Sequence, residues 1–192
     1  MIGLGNHRTK ILTETGEHET LADILPSEST LKILFIAKTP ASVSVSAGHY
    51  FQGKQGRMLW NKLAEYNILK VCEGEFEDDH LLENGYGITD IVKIPRGYGD
   101  EPSDEEYRSG LDRIMDLIRV HRPEVLVFVY KKVLDKILKF GFDIKEKSLY
   151  GFNPNLELKF GAKVFVFPMP GTPCNSEIAH QSMIELKSLL KK

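Results

Sequence analysis

The stretch Leu31–Ala37, LKILFIA, is a short apolar run that Lys38-Thr39-Pro40 brings to an end. Such a run predicts a strand buried on both faces. Working outward, three further runs have the same character: Gly85–Val92 (GYGITDIV), Val125–Tyr130 (VLVFVY) and Lys163–Phe167 (KVFVF). The segments between them carry helical spacing. Over 56–67, Leu59 and Leu63, and Trp60 and Ala64, fall at i, i+4 and make one apolar face. Ser103 stands three residues before Glu106, a capping-box signature, and the stripe Tyr107, Leu111, Ile114, Met115, Ile118 follows until Pro123 stops it. A short helix through Val133, Leu134, Ile137 and Leu138 is closed by Gly141, and a last helix runs from about Asn175 to Leu190. The Ser/Gly-rich stretch 41–55 shows no periodicity, and 148–160 reads as an irregular hairpin around Asn153-Pro154-Asn155.

Buried strands alternating with amphipathic helices predict an α/β fold, a three-layer α/β/α arrangement with a central four-stranded parallel sheet. Residues 1–20 are expected to be an N-terminal extension and 21–192 a single domain. In open sheets of this kind, ligands bind beyond the carboxyl ends of the strands. Those ends carry Thr39-Pro40, Thr89-Asp90, Tyr130-Lys131 and Met169-Pro170-Gly171, which locates a pocket without specifying a reaction.

Composition narrows the class. The chain has 192 residues, 42% of them apolar, and a net charge of −2. That balance is not the strongly basic one of a protein that coats nucleic acid, so a nucleic-acid partner would meet a local basic face. Two cysteines, Cys72 and Cys174, are too few for a disulfide framework or a four-cysteine metal site, and both read as buried hydrophobes. The acidic group Glu73, Glu75, Glu77, Asp78, Asp79 reads as a solvated loop, and no metal site or cofactor is expected. No apolar run approaches the ~20 residues that span a bilayer, and 1–20 lack a signal-peptide core. The expectation is a cytoplasmic monomer without membrane association.

The segments in order resemble the mismatch-specific uracil/thymine branch of the uracil-DNA glycosylase superfamily over about residues 20–190. The leader Leu21-Ala22-Asp23-Ile24-Leu25-Pro26 is similar to the family's E-D-I-L-type leader, and FIAKTPAS (Phe35–Ser42) to its strand followed by G-I-N-P-G. Phe51 and Gly56-Arg57-Met58-Leu59-Trp60 resemble the F…N-R-F-W run into the first helix. GYGITDIVKIP (Gly85–Pro95) resembles C-G-V-T-x-L-V-x-R-P. HRPEVLVFVYKKV (His121–Val133) is similar to the helix end and third strand, and VFVFPMPGTPCNS (Val164–Ser176) to the second motif, W-V-L-P-N-P-S-G-L-S.

The resemblance implies a DNA glycosylase that flips a deaminated or mismatched, uracil-like base out of a duplex and hydrolyses its glycosidic bond in base-excision repair. Phe51 would stack on the base, with Ala37, Lys38 and Met169 around it. Arg57, Lys132, Pro170, Gly171, Thr172 and Asn175 would meet DNA, and Lys38, Lys54, Lys93, Arg96 and Lys131 stand near the mouth. Two positions depart from the family pattern: Thr39 occupies the place of an Asn or acidic residue, and Met169 that of an Asn or His. Asp90 is the substitute catalytic group, with Thr39 beside it. Two other readings stay open: a glycosylase fold that binds DNA without turnover, and an N-glycosidase acting on a small nucleoside.

Overall fold

The computed structural model describes residues 6–14, 16–27, 29–97 and 99–191. Residues 1–5 and 15 of the expected N-terminal extension therefore lie outside the described residues. Its remainder contributes elements that the sequence reading does not assign: β1 (Arg8–Thr13) and β2 (Gly16–Leu21) form an antiparallel hairpin. Only the end of β2 is buried, at Thr20 and Leu21, where the hairpin meets the core. Elsewhere in the ribbon the apolar residues Ile11 and Leu12 are adjacent rather than alternating, so apolar periodicity gives no signal.

The central sheet contains β3 (Ile33–Ala37), β4 (Tyr86–Asp90), β5 (Val125–Phe128), β6 (Gly151–Phe152) and β7 (Lys163–Val166). Its order is β4-β3-β5-β7-β6. The four apolar runs pair in parallel, as expected, but the sheet has a fifth strand: β6 runs antiparallel to β7 through two residues. The sheet is thus five-stranded and mixed rather than four-stranded and parallel, and the predicted hairpin at 148–160 is not formed. Only β6 is extended there; a 3-10 turn at Pro154–Leu156 and a short helix follow.

Side chains alternate across each strand, and both sets are buried. Ile33, Phe35, Val125, Val127 and Phe165 face one core, which α2 (Arg57–Glu65) closes with Leu59, Trp60 and Leu63 and α6 (Ser176–Leu190) with Met183 and Leu186. Leu34, Ile36, Leu126, Phe128 and Val164 face the other. There α3 (Asp104–His121), α4 (Lys131–Phe142) and α5 (Glu157–Phe160) supply Tyr107, Ile114, Leu134, Ile137 and Phe160.

The capping box at Ser103 and Glu106 is formed, with backbone–side-chain bonds in both directions at 3.2 and 2.8 Å. α4 does not stop at Gly141: it continues to Phe142, and Asp143 takes the left-handed closing conformation at φ 52°. The stretch 41–55 contains a six-residue helix, α1 (Ser42–Ala47), whose Ser–Val alternation carries no helical spacing. Cys72 is exposed rather than buried, because it sits in the loop after α2. Among the described residues, no helix is long and apolar enough to cross a membrane.

Candidate active site

A cavity of about 750 Å³ opens at the carboxyl ends of β3, β4 and β5. That volume is within the range of small-ligand sites. Main-chain bonds fasten part of its wall. The segment after β3 is laced to the segment after β4: Arg96 N donates to Pro40 O at 2.9 Å, and Ser42 N donates to Arg96 O at 3.1 Å. Thr39 adds a side-chain link, its hydroxyl donating to Ile94 O at 2.5 Å.

Asp90 lines the cavity and is 1% exposed. Its Oδ2 has no hydrogen-bond partner among the described residues; the Lys93 ammonium is 3.7 Å away, beyond bonding distance. Burial raises this carboxyl to about 6, and Asp23 adds to the rise while Lys93, the Tyr50 hydroxyl and Arg113 hold it back. Asp90 is thus ionised near neutral pH but incompletely satisfied. Behind it, Asp23 accepts from Thr89 Oγ1 and Lys93 Nζ at 2.7 and 2.8 Å and from Arg113 Nη1 at 2.7 Å. The Arg113 guanidinium also donates to the main-chain oxygen of Asp90, which fixes the strand end from which the carboxylate projects.

Arg96 also lines the cavity, and its Nε–H is buried without a partner among the described residues, although its Nη2 is bonded to Glu106. The site therefore holds an unpaired acceptor and an unpaired donor. Buried polar groups are seldom left so in the absence of a ligand. Two phenols complete the lining. Burial pushes Tyr50 well above its ordinary value and Tyr130 up to about 12, with Asp90 contributing in both cases, so both stay protonated.

Phe51 lines the same cavity with φ +57°, a left-handed conformation unusual for a phenylalanine. Its ring meets Trp60 edge-on, the centroids 5.8 Å apart. The turn is possible because Gly56 packs on it: a Cβ at Gly56 would lie 2.6 Å from Phe51 Cα.

The model of the uracil DNA glycosylase superfamily matches residues 26–173, most of the chain and all three strands whose ends open on the cavity. The chain belongs to the uracil DNA glycosylase superfamily. A Schizosaccharomyces pombe protein named G/U mismatch-specific uracil DNA glycosylase is 28% identical over 142 residues, covering 69% of this chain and 42% of that relative. The chain thus spans under half the length of the curated relative it matches.

In this superfamily member the structure brings Lys38, Thr39, Phe51 and Asp90 to one cavity, together with Lys54, Arg96 and Tyr130. Ala37 ends β3 directly beside Asp90 and is fully buried. Met169 is not on the cavity: it is 5% exposed and packs in the core that contains Phe167 and Met183. Pro170, Gly171, Thr172 and Asn175 form the loop before α6, a surface turn in which Thr172 Oγ1 donates to Met169 O. The Asn175 side chain is engaged as the helix cap, accepting from Glu177 N at 2.8 Å.

Among the basic residues, Arg57 is paired with Glu77 at 3.0 Å, Lys132 and Lys38 with Glu101 at 3.1 and 2.9 Å, and Lys131 with Asp135 at 3.3 Å. Lys93 lies in the Asp23 network, whereas exposed Lys54 is on the cavity wall. The sequence reading missed Tyr50, Asp23 and Arg113 as parts of the site. Asp23 stands in the leader motif, the one signal pointing to it; Arg113 meets it across 90 positions and had none.

Proposed function

We propose that this protein is a DNA N-glycosylase that releases deaminated or mismatched, uracil-like bases, with residues 21–192 as the working domain and 1–20 as an extension of it. The observation that supports this reading is the pair of unsatisfied buried groups on one cavity, the Asp90 Oδ2 acceptor and the Arg96 Nε donor. Deamination replaces an exocyclic amino group by a carbonyl, and a fixed N–H donor distinguishes the two. Phe51 stacks on the flipped base. As the glycosidic bond lengthens, negative charge grows on the base and positive charge on the sugar. Arg96 and the protonated phenols face the first, and ionised Asp90 stabilises the second and receives a hydrogen bond from the attacking water. Water adds to the sugar carbon, its proton leaves, and the base departs as the neutral heterocycle once protonated. DNA is held by Lys54, Lys38 and the loop Pro170–Asn175, with Arg57 and Lys132 at the periphery.

A second reading rests on a specific observation: the Thr39 hydroxyl spends its proton on Ile94 O and Met169 lies in the core, so neither offers a hydrogen-bond donor to a base. A chain in this state binds DNA without turning it over. Incubation with duplexes carrying G:U, G:T, hypoxanthine or xanthine, followed by detection of abasic sites, tests both. Base release supports the glycosylase, and binding without release supports the second reading. Absence of both, with cleavage of a free nucleoside, moves the substrate class to small N-glycosides.

A further inference from the structure

Beside the main chain of Tyr50, four potential metal ligands meet, none of them lining the cavity. Asp78, in the acidic stretch that the sequence reading treats as a solvated loop, is 0% exposed. It and Asp79 belong to a 3-10 turn at Glu77–His80. His49 follows α1, and His7 precedes β1, so three separate parts of the chain contribute. One ligand atom from each of the four residues lies within 4.8 Å of every other.

Each nitrogen faces both carboxylates. His49 Nδ1 is 2.9 Å from Asp78 Oδ1 and 3.8 Å from Asp79 Oδ1; His7 Nε2 is 3.1 Å from Asp79 Oδ1 and 3.8 Å from Asp78 Oδ2. Two independent histidine–aspartate pairs would satisfy the short contacts and have no reason to converge. Four ligands around one ion do converge: metal–ligand bonds of about 2.0–2.2 Å in a tetrahedron set ligand atoms about 3.3–3.5 Å apart. The four nitrogen–oxygen contacts, 2.9–3.8 Å, lie on either side of that spacing, and the four ligand atoms are all within 4.8 Å of one another.

The surroundings are those of a built site. His7 is held by its main chain, donating to Gly48 O at 2.9 Å and accepting from Ala22 N at 2.8 Å. The second oxygen of Asp78 accepts from Tyr50 N at 2.6 Å, which orients the carboxylate. The His49 ring stacks on Phe76 with centroids 3.6 Å apart and meets the His7 ring edge-on. As ligands to a metal, two carboxylates and two imidazoles would bring a double negative charge, which a divalent cation neutralises.

We infer that His7, His49, Asp78 and Asp79 bind one divalent transition-metal ion of zinc type, in a closed site that ties the β1–β2 hairpin to the wall bearing Tyr50 and Phe51. Two imidazoles exclude the hard, all-oxygen preference of calcium and magnesium, and the two-nitrogen, two-oxygen set suits zinc. All four positions being protein ligands, the ion is structural and takes no part in the base-release chemistry, so the inference stands independently of that reading.

The test uses the full chain, stripped with a chelator and titrated with Zn(II) alone against a chromophoric competitor, then with Co(II). The expected result is one ion per chain, visible d–d bands of four-coordinate Co(II), and a Tm rise of roughly 5–10 °C at a hundredfold excess over Kd. His7→Ala and Asp79→Asn alter partly exposed side chains, and each should weaken Zn(II) binding on the order of a hundredfold while the metal-free variants keep the far-UV spectrum of the metal-free parent. His80→Ala, at the neighbouring surface cluster with Glu75 and Glu83, should leave the affinity unchanged. No stoichiometric binding, or binding that survives both His7→Ala and Asp79→Asn, overturns the inference.

Discussion

Replacing Asp90 by Asn should stabilise the protein at neutral pH and forfeit that gain in acid. The carboxyl titrates at about 6 in the fold against its ordinary 3.8. A folded value above the unfolded one means that its contribution to stability is fully present below pH 3.8 and is lost as the pH rises through 6. Between pH 4 and pH 7.5 the loss amounts to about 2.5 kcal/mol. Asn has no charge to bury, so it escapes this loss, although its amide has to find partners in the same place. That second effect does not depend on pH, and it cancels when the variant-minus-parent difference at pH 4 is subtracted from the difference at pH 7.5. Urea unfolding of both proteins at the two pH values supplies the four free energies required. For a chain of this length, about 2.5 kcal/mol also corresponds to a relative Tm shift of about 5–10 °C. Parallel pH profiles for the two proteins would refute the account of Asp90 as a buried, under-compensated charge.

The same carboxylate should govern chemistry. Single-turnover release of uracil from a G:U duplex should fall on the order of a hundredfold in Asp90→Ala and about tenfold or less in Thr39→Ala, whose hydroxyl is committed to Ile94 O. In the parent, the rate should rise with pH through about 6 as Asp90 ionises, a profile that a flat pH dependence would contradict. Gly56→Ala places a methyl group against the Phe51 main chain; destabilisation of about 1–3 kcal/mol in urea is expected, with weakened duplex binding. Duplex affinity should fall with salt at a log–log slope of roughly −3 to −4. Lys54→Glu should weaken it more than Arg57→Glu, since Arg57 already serves Glu77; equal losses in filter or anisotropy titrations would displace the binding face.

The parts of the fold that were legible in the sequence are those whose signal is local. Val125–Phe128 announces itself because both faces are buried, and Ser103 with Glu106 because a helix start needs its donors satisfied within one turn. β6 is two residues long and the apolar residues of β1–β2 do not alternate, so neither leaves a periodic trace. Thr39, Phe51 and Asp90 could be placed at the site because they follow strands or stand just before a helix. Tyr50 and Arg113 could not, since they reach Lys93 and Asp23 through contacts across 43 and 90 positions. Asp78 reads as solvated because composition counts charges and does not see His7, at the start of the hairpin, and His49, after α1, brought against it.

The lacing of the two strand-end segments, Arg96 N to Pro40 O and Ser42 N to Arg96 O, has a bearing on how such a pocket can change over generations. A wall fastened main chain to main chain keeps its outline whatever side chain hangs from it. A position such as 39 can then carry a different side chain without the cavity collapsing, because its hydroxyl bond to Ile94 O only supplements the main-chain links.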